Sequence, residues 1–362
     1  MADINLAQYL SSEIKRIVVE ALGASFKNPQ ETVFLLKYMS EAKIAENKRS
    51  KYEKAGQHIP AFLIASITTS CNLLCKGCYA RANNSYGEGF EQKQLSDKEW
   101  QDIFSQAKEL GIAFILLAGG EPLIRKDVIE WAAKYKSIVF PVFTNGTMID
   151  EEYLELFDKN RNLVPVISIE GDREQTNSRR GDGVYEILTS VMEKFKHRGI
   201  FYGASVTVTT ENIETVAGDE FIRKLYDNSC KIVFFVEYVP VLSCSQGLAP
   251  GDPERQILES RLAKLRAEYK DMIFLSFPGD EKDTGGCLAA GRGFFHINAH
   301  GGAEPCPFSP YSDINLKEHT LLEALNSGLF KKLNQSGMLL GEHKGACLLF
   351  EKEDEVKNLL EK

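Results

Sequence analysis

The chain has 362 residues, 43% hydrophobic and 26% charged, with a formal net charge of −8; it is long enough for two domains, or for one large α/β unit with additions. The acidic balance argues against nucleic acid or an anionic membrane as partner, because both attract basic faces, and no apolar run approaches the roughly 18 residues of a membrane span. Met1-Ala2-Asp3-Ile4-Asn5 lacks the basic-then-apolar plan of a signal peptide, and eight cysteines with no sign of export point to a reducing cytoplasm.

Residues 1 to about 57 read as helical. Leu6, Tyr9, Leu10, Ile14, Ile17 and Val18 recur at helical spacing, as do Val33, Leu36, Tyr38, Met39 and Ile44. Asn28-Pro29 separates two helices, and the polar stretch 45–57 is expected to be a linker or a solvated helix end. The pair is expected to cap the main domain, with docking to a membrane surface or partner as the alternative. From about residue 60 the pattern alternates. Strand-like runs are Phe62–Ile67, Ala113–Ala118, Ile138–Phe143, Leu163–Ile169, Tyr202–Val208 and Lys231–Val239, separated by helical stretches at 96–110, 126–136, 150–158, 184–198 and 213–226. Ser96 with Glu99 makes a capping box, and Asp150 stands where an N-cap would be. Six strands alternating with helices imply parallel βαβ units. Functional residues of such sheets gather at the C-terminal ends of the strands.

After Val239 the texture changes. Pro240 to Pro253 is rich in Pro, Gly and Ser, a boundary signature. A helix over 254–270, a short strand Ile273–Phe277, a hairpin of Phe294–Asn298 and Ala303–Cys306, and helices over 320–335 and 351–362 follow. The expected division is a helical cap over 1–58, a main domain over 59–242 and a small α+β domain over 243–362.

Cys71, Cys75 and Cys78 follow the first strand, with three and then two residues between them. Thiolates this close on one loop can hold three irons of a cubane cluster and leave the fourth iron open. A structural zinc site is the alternative, but zinc prefers four ligands, commonly two separated pairs.

Cys-x3-Cys-x2-Cys in this position resembles the radical S-adenosylmethionine (SAM) superfamily, and further motifs extend the resemblance over residues 60–240. It implies a (β/α)6 partial TIM barrel and a [4Fe–4S] cluster on Cys71, Cys75 and Cys78 whose open iron chelates SAM. One-electron cleavage of the cofactor then gives a 5′-deoxyadenosyl radical that abstracts a substrate hydrogen. A low-potential donor such as flavodoxin or ferredoxin is implied as partner. Gly119-Gly120-Glu121-Pro122 looks like the family's Gly-Gly-Glu-Pro motif, which binds the methionine amino group. Thr144-Asn145-Gly146 resembles its Thr-Asn-Gly turn, with Asn145 near cofactor or substrate; a plain turn is the alternative. Ser168-Ile169-Glu170-Gly171 resembles Ser-x-Asp-Gly, which brings Ser168 to the ribose or carboxylate, with Glu170 in place of the usual Asp. Arg180-Gly181 resembles an Arg-Gly pair whose arginine holds the cofactor carboxylate; Arg179 is adjacent. The family's aromatic before the last cysteine is Gly77 here, and Tyr79 comes one residue later, as the aromatic available to the cofactor.

Cys287, Cys306 and Cys347 resemble the start of a SPASM or twitch extension, which implies an auxiliary [4Fe–4S] cluster, with Cys244 as candidate fourth ligand. Three ordinary buried thiols are the alternative, and Cys230 reads as structural. His296, His300 and His343 read as surface residues or as donors beside that cluster. The expected function is hydrogen abstraction from a small-molecule or lipid-type substrate, with the auxiliary cluster assisting oxidation or bond formation. A peptide or protein maturase of thioether or formylglycine type is one alternative, and a non-catalytic iron–sulfur electron carrier another. No residue is assigned as catalytic.

Overall fold

The computed structural model describes residues 6–26, 28–82, 93–340 and 347–361. Helices α1 (Leu6–Ala24) and α2 (Pro29–Lys54) come first. Then follow β1 (Phe62–Ser66), α3 (Tyr79–Ala82), α4 (Asp97–Leu110), β2 (Phe114–Ala118), α5 (Lys126–Ala132), β3 (Phe140–Thr144), α6 (Glu151–Lys159) and β4 (Leu163–Ser168). Next are α7 (Arg173–Arg180), α8 (Val184–Arg198), β5 (Gly203–Val208), α9 (Ile213–Val216), α10 (Asp219–Asp227) and β6 (Ile232–Glu237). The remainder supplies α11 (Asp252–Glu268), β7 (Ile273–Phe277), β8 (His296–Ile297), β9 (Ala303–Glu304), α12 (Leu321–Leu325), α13 (Gly328–Gln335), α14 (Leu348–Glu351) and α15 (Glu353–Glu361).

The strands form one sheet in the order β7-β6-β5-β4-β3-β2-β1-β8-β9. From β7 through β8 every pairing is parallel; β9 folds back antiparallel on β8. This is the mostly parallel sheet, helix between strands, expected of a partial barrel. Side chains alternate along β1. Leu63 and Ala65 are fully buried in the core with Trp100 and Phe104 of α4, while Ile64 and Ser66 are half-buried on the other face. The same core takes Phe157 of α6 and Phe195 of α8.

The helix starts behave as their sequences predict. Ser96 and Glu99 form the capping box of α4, and Asp150 accepts from the Tyr153 N–H at the start of α6. Two stretches break. The helix expected over 213–226 is split at Ala217-Gly218 into α9 and α10, and the one over 320–335 is split at Asn326-Ser327, where Ser327 caps α13. Residues 45–54 are not a linker; Glu, Lys and Ala continue α2 to Lys54, as their helix propensity allows.

The α1–α2 pair closes the end of the sheet where the strands begin. Ala21 and Leu35 pack on Ile232 and Ile273, and Val18 and Tyr38 on Val139. The Tyr38 hydroxyl donates to the Ala113 carbonyl at 2.8 Å. Arg161, just before β4, donates to the Gly199 carbonyl at 2.7 Å and lies 3.4 Å from the Glu31 carboxylate. The segment after residue 243 also builds onto the sheet. Strand β7 covers the free edge of β6 over five residue pairs, and the β8–β9 hairpin covers the other edge through Ile64↔His296 and Ala65↔Ile297. The parallel run therefore exceeds the six strands expected, because apolar Ile273–Phe277 finds its partner on β6.

Candidate iron–sulfur and cofactor site

The cysteine triplet and the motifs at Gly119, Thr144 and Ser168 sit at or just beyond the C-terminal ends of parallel strands, while Arg180-Gly181 ends α7. The loop after β1 carries Cys71, Cys75 and Cys78, all half-buried. Donors surround the sulfurs. The Leu73 N–H donates to Cys71 Sγ at 3.4 Å, Asn145 Nδ2 lies 3.8 Å from the same sulfur, and Arg180 Nη1 lies 3.9 Å from Cys75 Sγ. Burial pushes the Cys71 and Cys75 thiols up, with Arg180 opposing it at Cys75. Thiols so placed keep their protons until a cation replaces them. Among the described residues no three His, Cys, Asp or Glu groups converge on a single metal ion. A cubane does not ask for that, since each thiolate binds its own iron. Three soft ligands with N–H donors aimed at them fit such a cluster.

Gly119 and Gly120 let two loops touch. A Cβ on Gly119 would stand 2.3 Å from the Thr68 carbonyl oxygen, and one on Gly120 would stand 2.1 Å from that of Ser70. The Gly120 and Glu121 N–H groups donate to the same two carbonyls, each at 2.8 Å. The glycines thus seat the β2 loop on the root of the cysteine loop. Glu121 is 1% exposed and already satisfied: its carboxylate accepts from the Leu123 N–H (3.0 Å), the Thr144 hydroxyl (2.7 Å) and the Asn145 N–H (2.7 Å). Burial raises its pKa. Its visible work is to tie the ends of β2 and β3 together and so to hold Asn145 beside Cys71, where Asn145 Nδ2 also donates to Asn72 Oδ1 at 2.8 Å.

Glu170 is likewise spoken for. Its Oε1 meets Arg180 Nη2 at 2.5 Å and Arg179 Nε at 3.2 Å, and its Oε2 accepts from the Thr207 N–H at 3.0 Å. The arginines end α7, a helix the sequence patterning did not reveal, and the Lys76 N–H donates to the Arg179 carbonyl at 2.9 Å. So Glu170 anchors two arginines under the cysteine loop. Ser168 stays half-buried at the end of β4. Tyr79 opens α3 and its ring lies 5.0 Å from that of Phe308, two residues beyond Cys306. Burial raises the Tyr79 phenol pKa, with Cys78, Glu304 and Cys306 adding to it. This side chain therefore stands between the two cysteine groups.

The C-terminal cysteines do meet. Cys287 and Cys306 are buried and Cys347 is half-buried at the start of α14. Cys306 and Cys347 share a hydrogen bond, which raises the Cys306 pKa and lowers that of Cys347, and Cys287 acts on Cys306 as a nearby charge. Cys244 is exposed on the turn Ser243–Leu248, and none of the interactions described for Cys306 or Cys347 involves it. Cys230 is buried, its thiol pushed up to about 12 by burial. His343 lies outside the described residues.

His296 and His300 are buried rather than on the surface. His296 Nδ1 is 2.7 Å from Glu304 Oε2, and its Nε2 is 2.7 Å from Ser66 Oγ. Asn298 Nδ2 donates to the other Glu304 oxygen at 2.5 Å. A carboxylate only accepts, so in the neutral imidazole the proton sits on Nδ1 and Nε2 accepts from Ser66. Sequence reasoning missed this chain of residues. Its one local signal was the period-2 pairing of His296 with Glu304 across the hairpin turn.

Residues 65–219 match the family described as the Radical SAM superfamily. That match marks a Radical SAM domain within this chain, and the protein is an enzyme, which sets aside the electron-carrier alternative. It is 26% identical over 320 residues to the AdoMet-dependent heme synthase of Methanosarcina barkeri, covering 80% of this chain and 90% of that protein. It is 27% identical over 255 residues to the sporulation killing factor maturation protein SkfB of Bacillus subtilis, covering 69% of this chain and 60% of SkfB. In fold it is similar to Streptococcus suis SuiB bound to S-adenosylmethionine, with a TM-score of 0.67 at 18% identity, over 85% of this chain and 73% of SuiB. A Radical SAM domain implies a [4Fe–4S] cluster, SAM and a reductant. No described helix is long and apolar enough to cross a membrane.

Proposed function

We propose that this enzyme abstracts hydrogen from a small-molecule substrate, with iron porphyrins bearing carboxylate side chains as the first candidates. The observation that carries the substrate class is the relation to a heme synthase over 90% of that protein's length. Cys71, Cys75 and Cys78 hold the cluster. When bound, cluster and SAM together supply a 5′-deoxyadenosyl radical for hydrogen abstraction. Asn145 and Arg180 offset charge at the sulfurs, and Ser168, Tyr79 and the Gly119–Gly120 backbone border the cofactor. Residues 243–362 act as the auxiliary unit, with Cys287, Cys306 and Cys347 holding a second cluster that assists oxidation or bond formation. His296, oriented by Glu304, accepts a substrate proton at Nε2, directly or through Ser66; a base steadied by a third group is the arrangement proton transfer needs. A flavodoxin or ferredoxin is the proposed electron donor and the cytoplasm the proposed compartment.

The test is anaerobic reconstitution with dithionite and SAM. Wild-type protein forms 5′-deoxyadenosine and Cys75→Ala does not; equal yields from both would remove the ligand assignment. Iron-porphyrin carboxylates raise the rate above the substrate-free level, and side-chain deuterium appears in 5′-deoxyadenosine. The similarity to SkfB over 69% of the chain favours peptide maturation as second reading. Stimulation by cysteine-containing peptides and not by porphyrins would select it.

A further inference from the structure

Tyr238, the residue after β6, is 2% exposed, and its phenol oxygen has no hydrogen-bond partner among the described residues. Leaving a buried hydroxyl unpaired is costly, so buried phenols are normally satisfied. The place where this one is stranded is specific. A Cβ on Gly77 would stand 2.5 Å from the phenol oxygen and 2.8 Å from the ring. Tyr238 therefore presses on the backbone of Gly77, directly before Cys78. Gly77 also has φ +67°, which other residues rarely adopt. The Arg179 guanidinium stands 5.6 Å from the ring centroid, and the Arg179 carbonyl holds the Lys76 N–H. The missing side chain at position 77 makes room for an aromatic ring delivered from another strand.

We propose that Tyr238 is a positioning residue of the iron–sulfur site, whose phenol O–H donates to a sulfur of the cluster held by Cys71, Cys75 and Cys78. The proposal rests on that ligand assignment. Cluster sulfurs are anionic acceptors, and a hydrogen bond to them favours the reduced, more negative state. The phenol then raises the reduction potential and makes the first electron easier to deliver.

The test uses the full-length reconstituted protein without substrate, titrated potentiometrically with detection by electron paramagnetic resonance. Tyr238→Phe keeps its iron and shifts the midpoint to more negative potential. Gly77→Ala, which displaces the phenol without removing it, shifts it the same way. Electron–nuclear double resonance of the reduced wild type in D2O shows an exchangeable deuteron coupled to the cluster, lost in Tyr238→Phe. A Tyr238→Phe midpoint equal to wild type at full iron content overturns the proposal, as does an unchanged midpoint with weakened SAM binding, which would assign the phenol to the cofactor. If Tyr238→Phe assembles no cluster, a Gly77→Ala midpoint equal to wild type at full iron content overturns it. Iron retained by Cys75→Ala is a separate result and removes the ligand assignment instead.

Discussion

Gly120 shows what single residues do here. Its Cβ would lie 2.1 Å from a backbone oxygen that cannot yield without moving the cysteine loop. Gly120→Ala is expected to destabilise the protein by about 2–4 kcal/mol, on the scale of steric and backbone-strain mutations, and to lower iron loading. Urea unfolding and iron analysis check both. The double glycine was visible in the sequence as a close approach, but its partner was not: the approach is loop to loop. Cys71, Cys75 and Cys78 were readable because all three lie on one short segment. Ser66, His296 and Glu304 were not, because Ser66 and His296 are 230 residues apart and meet only through the β1–β8 register. His296→Gln is expected to keep 5′-deoxyadenosine formation while lowering product per 5′-deoxyadenosine by roughly 10²-fold, the usual size of a lost proton acceptor. An unchanged ratio would reassign His296 to packing.

Helix α2 carries a titration of its own. Burial holds the Glu31 carboxyl up at about 7, against its ordinary 4.5, while Arg161 pulls the other way. As pH rises from 4.5 to 7 the unfolded chain gives up this proton before the folded one does. Stability from Glu31 is therefore full below about 4.5 and falls through about 7, by on the order of 3 kcal/mol. Glu31→Gln should flatten the melting temperature over that window; an unaltered slope would place the titration elsewhere. At this scale the sequence was informative where periodicity was long and capped, as in α8, found at the expected 184–198. It failed at α7, whose eight residues Arg173–Arg180 carry almost no apolar face and are held by capping at Asp172 and Gln175 and by Glu170. Strand β7 stands at the expected Ile273–Phe277, but its place beside β6 was not legible, because which edge an apolar strand covers is a tertiary choice.

Taken whole, the molecule is one sheet with a helical floor at one end and both cysteine groups on the β1 side. The change of texture after Val239 suggested a separate unit, yet β7, β8 and β9 all join the sheet. Two clusters predict about eight irons and eight sulfides per chain. Cys306→Ala should leave about four while retaining 5′-deoxyadenosine formation; four irons in the wild type would remove the auxiliary centre.

The contact between the rings of Tyr79 and Phe308 then has a consequence for selectivity. Tyr79 is bonded to Cys78, and Phe308 is two residues from Cys306, while β8 is clamped to β1. The two proposed centres are thus spaced like jaws of a fixed gauge. If both centres are occupied, a substrate that bridges them has to match their separation, and trimming either ring is expected to widen the range of molecules accepted before it slows turnover of any of them.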